Sequence, residues 1–310
     1  MRALLLAAVP VVLSSAVALG QPGQDPSGPP APAPVMAPPP PPAPTAVGAD
    51  PLHSGNFVML DRFDMTNRVG LEATYVDVDG NGDGNLFGFN LHGSYIDPAS
   101  HFGGYASVPL AAIVGSDHDD TGTIGNIEAG ALYAAPINEQ AGVVVRVGGV
   151  FPTAPDDNTT KIIANAYSGY ARPGDLALAV PNAKGVRLSA SPMYRSGKLF
   201  ARVDAGVDIV WMEQSGLGGG TGPTSSERGT FIHAAGGIGA DLQSVQIMGE
   251  LGFVNVSSEN SDSNSTENLA ISARIPSGQF APYAALILPL DSDVNKAINL
   301  FLTVGFDAKI

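Results

Sequence analysis

Cysteine is absent from this 310-residue chain, which excludes disulfide bonds, thiolate nucleophiles and thiolate metal sites. Charge is scarce. Only 14% of residues are Asp, Glu, Lys or Arg, against about 25% in an average soluble domain. What charge there is leans acidic, with a net of −14. Nucleic acid, which calls for basic patches, is therefore excluded as a partner. Beyond residue 20 no apolar run approaches the roughly 18 residues of a membrane-spanning helix. G-x-S-x-G nucleophile motifs and paired histidines at zinc spacing are missing as well, so the chain is expected not to be an enzyme.

Two N-terminal stretches stand apart from the rest. Residues 1–20 carry one positive charge (Arg2), an apolar stretch, and small residues in Ala18-Leu19-Gly20 before Gln21, the make-up of a secretory signal peptide. Residues 21–49 contain "PPAPAPVMAPPPPPAPTA". Proline lacks the N–H that helices and sheet ladders need, so this segment reads as a disordered, extended spacer. Residues 50–310 are left as the folded domain.

From about residue 67 onward the pattern is one of period two, the period of a β-strand. In "NLFLTVGFDAKI", Leu300, Leu302, Val304, Phe306, Ala308 and Ile310 share one face, with Phe301, Thr303, Gly305 and Asp307 on the other. Twelve such segments run near 68–78, 86–96, 102–114, 124–135, 141–152, 186–195, 198–211, 230–240, 245–256, 267–275, 280–290 and 298–310. Their connections alternate. "DPASH", "APINEQ", "SG", "LQS" and "PSG" are short, whereas "DVDGNGDGN", residues 153–185 and "MEQSGLGGGTGPTSSERG" are long or strongly polar. Short turns at one end and long loops at the other are the habit of outer-membrane barrels. Closure into a barrel leaves no backbone group unpaired in lipid.

The expected fold class is therefore all-β, a transmembrane up-and-down antiparallel barrel of about twelve strands. A soluble β-sandwich also alternates, but its strands are shorter. It would not place aromatics at strand ends, as Tyr95, Tyr133, Phe151, Tyr194, Trp211, Phe253 and Phe306 are placed here. The segment "NFVMLDRF" (residues 56–63) could add to the sheet and shift the strand count. With an even count, both ends of the barrel would lie on the periplasmic side and the long loops would face outward.

If the apolar face meets lipid, the other face lines the interior. That face carries Glu72, His92, Glu128, Arg146, Arg187, Arg202, Asp204, Asp208, His233, Glu250, Arg274 and Asp307. On the lipid side such charges would cost roughly 2–4 kcal/mol each at mid-depth. Glu128 and Arg146 are equidistant from Ile137, so they are expected to face one another across a hairpin. The set could be an ion-pair network that packs the interior, or a charged constriction that filters solutes.

The acidic connection "DVDGNGDGN" (77–85) offers Asp79, Asn81 and Asp83 in the spacing that opens an EF-hand loop. The closing position falls on Asn90, inside an alternating strand. Turn chemistry alone explains these residues, and weak calcium binding by Asp79, Asn81 and Asp83 is the alternative. "SDHDD" (Ser116 to Asp120) reads the same way, as a solvated loop or a metal candidate.

Residues 122–154, "GTIGNIEAGALYAAPINEQAGVVVRVGGVFPTA", resemble the outer-membrane barrel proteins grouped with meta-pathway phenol-degradation transporters. Gly125, Asn126, Pro152 and Thr153 carry the likeness, while Ala154 stands where glycine is usual and Asn126 where aspartate is common. The resemblance implies passage or binding of small hydrophobic compounds. Together these readings lead to an outer-membrane barrel for passive transport of small solutes. A closed barrel acting through its acidic extracellular loops is the second reading. Expected partners are outer-membrane lipids, the barrel-assembly machinery through the C-terminal strand, and small solutes; no cofactor is expected beyond weak calcium.

Overall fold

The computed structural model describes residues 57–78, 85–115, 120–213, 226–258 and 261–310. Among the described residues thirteen strands are present: β1 Arg68–Val78, β2 Asn85–Ile96, β3 Phe102–Val114, β4 Thr121–Ile124, β5 Ile127–Pro136, β6 Ala141–Phe151, β7 Ala183–Ser196, β8 Leu199–Glu213, β9 Ser226–Asp241, β10 Gln246–Ser258, β11 Ser261–Arg274, β12 Phe280–Pro289 and β13 Ile298–Lys309. Except for β4 and β5, which do not pair with each other, consecutive strands pair antiparallel. β1 pairs with β13, from Arg68↔Lys309 to Val78↔Ile298, and closes the ring. β4 and β5 are two pieces of one stave, both paired to β3. The ring is thus a closed twelve-stranded barrel.

The alternation holds all round. In β12, Ala281, Tyr283, Ala285 and Ile287 point into the barrel, while Leu286 and Leu288 face out. In β6, Val144, Arg146 and Val150 point in, while Val145 and Val147 face out. The outside is an apolar belt with aromatics near the strand ends, among them Tyr95, Phe102, Phe151, Tyr194 and Trp211. No described helix is long and apolar enough to cross a membrane; the crossing is made by strands.

The strands depart from the sequence reading in three places. The expected strand 124–135 breaks at Gly125–Asn126, and its two halves pair with β3 in registers that differ by one residue. Opposite the break sits Pro109, which has no N–H to donate, so the ladder loses nothing there. Its carbonyl accepts from Gly125 N at 2.8 Å. The polar stretch 257–266, expected as a loop, instead prolongs the β10–β11 hairpin to Ser258 and Ser261. The residues of "NFVMLDRF" that are described, 57–63, form no strand and run inside the barrel, buried.

The long connection between β6 and β7 also turns inward. Its helix α1, Thr159–Gly169, starts at Asn158, whose side chain accepts from Lys161 N at 3.2 Å in the usual N-cap manner. The chain then reverses through Arg172 and a 3₁₀ turn at Pro173–Asp175, where proline forbids a continued helix. The short α2, Leu176–Ala179, climbs back toward β7. Gly169 lets the two legs touch, because a Cβ there would lie 2.9 Å from that of Ala179. The core of the molecule is therefore the barrel interior, packed by residues such as Val58, Met59, Ala171, Tyr283 and Phe301.

Candidate functional site: the charged interior

Among the described residues, seven arginines and eight carboxylates are buried inside the barrel. Each sign nearly cancels the other, as a low-dielectric interior requires. All ten charged residues expected on the inner face are among them: Glu72, Glu128, Arg146, Arg187, Arg202, Asp204, Asp208, Glu250, Arg274 and Asp307. Seven of them fall into three groups.

The first group centres on Glu128. Its carboxylate accepts from Arg146 at 2.9 Å, from Arg187 at 2.6 Å and from the Tyr105 hydroxyl at 2.7 Å. Arg187 also reaches Asp208 at 3.0 Å, which in turn lies 3.5 Å from His233. Glu128 and Arg146 do meet, but not as cross-strand partners. The register sets Leu132 opposite Arg146 and Val150 opposite Glu128, because the turn is centred two residues later than Ile137 would make it. The pair forms along a diagonal, which the reach of an arginine allows.

The second group is Asp307, 3.2 Å from Arg274, 3.7 Å from Arg68 and 3.3 Å from His92. The third is Glu72 in β1, joined to Arg62 at 3.1 Å, to Arg172 at 2.7 Å and to the Tyr283 hydroxyl at 2.9 Å. Of the three that remain, two hold backbone. Glu250 accepts from Val58 N at 2.9 Å and from Met59 N at 2.6 Å, and Arg202 donates to the Phe63 carbonyl at 2.8 Å. Asp204 accepts from the Ser191 hydroxyl at 2.6 Å.

The sequence reading missed the other half of this network. Asp61, Arg62 and Asp64 lie on the inner N-terminal segment, Arg68 opens β1, and Arg172 and Asp175 lie on the β6–β7 connection. Asp61 pairs with Arg146, Asp64 with Arg68, and Arg62 with Asp175. Arg172 donates to the Leu60 carbonyl, and Arg187 lies 3.4 Å from Asp175. Burial alone would push the Asp175 carboxyl up, but Arg62, Arg187 and Arg172 overcome it and hold the group well below the usual carboxylate range. The signal that could have found these residues was three charges set among six apolar positions in "FVMLDRFDM" (57–65), and Arg-Pro-Gly-Asp at 172–175.

The residues that carry the phenol-transporter resemblance converge at the break in the wall. Asn126 is fully buried. Its side-chain oxygen accepts from Thr153 N at 3.1 Å and Ala154 N at 3.0 Å, while its amide donates to the Val180 carbonyl at 2.6 Å. The Thr153 hydroxyl donates to the Gly125 carbonyl at 2.6 Å. Asn126 thus staples both roots of the inward connection to the barrel wall, a task that uses acceptor and donor together.

Between that connection and the wall, at the end from which the long loops leave, lies a cavity of about 340 Å³. Its lining is mainly apolar, with Ile162, Tyr170, Leu176, Val180, Met212, Phe231 and Val256, and polar groups on one rim at Ser258, Asn264 and Thr266. The calcium candidates Asp79, Asn81 and Asp83 lie outside the described residues, as does most of "SDHDD". Asp120 is described and accepts from Gly115 N at 2.9 Å within its own loop.

No family model matches the chain, and no curated protein matches it in sequence. Among solved structures, the COG4313 outer membrane channel from Pseudomonas putida F1 is similar at a TM-score of 0.53 with 13% identity, covering 80% of this chain and 97% of that one. The translocator domain of the autotransporter NalP from Neisseria meningitidis is similar at 0.48 with 11% identity, covering 81% and 90%. A KdgM porin is similar at 0.44 with 10% identity, covering 78% and 99%. At such identities the first of these establishes the fold, that of an outer-membrane β-barrel.

Proposed function

We propose that this barrel is a passive outer-membrane channel for small solutes, and that its outer mouth suits small hydrophobic ones. The observation that carries the reading is the apolar cavity of about 340 Å³ between the β6–β7 connection and the wall. Ligand sites of a few hundred Å³ with an apolar lining and a few polar groups hold small molecules well. Here Tyr170, Leu176 and Phe231 would receive an apolar body, and Ser258, Asn264 or Thr266 a single hydroxyl or carbonyl. The long loops then face the outside, and the Pro-rich residues 21–49 lie in the periplasm. The solved neighbour with the higher TM-score is itself described as a channel, which agrees with this reading.

The test is permeation of a small aromatic such as phenol into cells whose outer membrane carries the barrel. Entry faster than in cells without it, slowed by Leu176→Lys or Phe231→Lys, supports the reading. Equal entry with and without the barrel sinks it. One observation favours the second reading, a closed barrel that acts through its acidic loops. Two segments of the chain occupy the interior, and insertion into a bilayer without conductance in any state would leave that role standing.

A further inference from the structure

The two segments inside the barrel enter from opposite ends. In residues 57–66 both ends lie at the short-turn end of the wall. Phe57 packs on Phe200, with ring centroids 5.6 Å apart, beside the β7–β8 turn. At the other end Asn67 exchanges hydrogen bonds with Ile96, at 3.2 Å and 2.6 Å, beside the β2–β3 turn. Leu60, Asp61 and Arg62 form the apex between them. The β6–β7 connection has both its roots at the long-loop end, and its apex is Arg172–Asp175. The two apices meet: Arg62 pairs with Asp175, and Arg172 donates to the Leu60 carbonyl.

We infer that the two segments are the halves of one gate, latched by Arg62–Asp175 and by Arg172 on the Leu60 carbonyl, and that solute passes when the latch parts. The chemistry permits this because each charged member has a second partner on the wall or beside it. Arg62 and Arg172 both pair with Glu72 of β1, at 3.1 Å and 2.7 Å. Asp175 is also 3.4 Å from Arg187 of β7. Separation therefore strands no charge in the interior, whereas a buried ion pair with no fallback resists opening. The gate has two satisfied arrangements, which a two-state element needs. The outer half is within reach of the solute, since Tyr170 and Leu176, flanking the apex, line the apolar cavity. In this respect the inference rests on the channel reading above.

The experiment is single-channel recording of the refolded full chain in a planar bilayer, with potassium chloride as the permeant salt. Asp175→Asn removes the latch charge while leaving Arg62 on Glu72 and Arg187 on Glu128 and Asp208. Arg62→Gln removes it from the other side. The open fraction should rise about tenfold in either variant, the change that 1.4 kcal/mol of lost latch energy produces. The chain has no cysteine, so a Phe57→Cys/Gly237→Cys pair can fasten the inner half to the wall. A Cβ at Gly237 would lie 2.5 Å from the Phe57 ring. Bridging that pair in the Asp175→Asn background should abolish the extra openings, and reduction should restore them. Retained heat-dependent gel mobility shows which variants are folded.

Steady conductance that ignores both latch variants and the cysteine bridge overturns the gate and leaves the channel. Absence of conductance in every folded variant overturns both.

Discussion

The wall and its filling are built on opposite plans. In the wall, away from the break at Gly125–Asn126, backbone groups are paired by the neighbouring strand, and side chains only have to sort themselves into lipid and interior. In the filling, the backbone of residues 57–64 relies on single side chains sent from the wall or the opposite segment: Glu250 for two N–H groups, Arg202 and Arg172 for two carbonyls. The wall is thus redundant and strong, while the filling hangs from a few polar contacts. That contrast is what the proposed gate calls for, a frame that persists around contents that move.

The comparison can be tested from both sides. The largest effect should come from violating the wall's outer face. Val147→Arg, half-exposed to lipid in β6, should cost about 2–4 kcal/mol, seen as a lower urea midpoint for refolding into lipid vesicles. Next is the filling. Glu250→Ala leaves the N–H groups of Val58 and Met59 without their acceptor, a loss of about 1–3 kcal/mol. Limited proteolysis should then cut within 57–66 while gel mobility of the barrel stays native. A variant that instead loses the whole barrel would show that wall and filling are one cooperative unit. Asn126→Asp keeps the acceptor for Thr153 and Ala154 N–H but loses the donor to Val180. It should lower the melting temperature by the equivalent of about 1 kcal/mol, and Asn126→Ala by more.

Two predictions sit at the small end. Asp175 is held below the ordinary carboxylate range, so its stabilising contribution is present above that range and lost only as pH falls through the lowered value. Open probability should therefore be level from roughly pH 8 to pH 5, well above the unperturbed Asp value near 4. A steep rise within that window would point to a controlling group other than Asp175. Outside the barrel, Lys296 and Asp293 form an exposed pair at 2.6 Å. Lys296→Ala should leave thermal stability unchanged, because water and salt screen such pairs.

The wall was legible because its physics is local. Alternation such as Val143, Val145 and Val147 against Val144 and Arg146 appears in any short window, and the connection lengths reveal which ends lie together. Even so, a local count misplaced the hairpin centre at Ile137, and with it the route by which Glu128 meets Arg146. The filling was not legible for the opposite reason. Val58 and Glu250 are 192 positions apart, and Arg62 and Asp175 are 113 apart. Short apolar runs such as 57–60 look alike whether they become strand or packed loop.

From the sequence alone, then, come the β class, the closed antiparallel ring, the lipid-facing belt and the identity of the inward charges of the strands, Arg68 excepted. All follow from period two and from the cost of leaving a charge or a backbone group in hydrocarbon. The tertiary structure decided what stands inside that ring: the N-terminal segment and the β6–β7 connection, meeting at Arg62 and Asp175. Their position is set by ion pairs and hydrogen bonds to side chains that come together only once the barrel has closed.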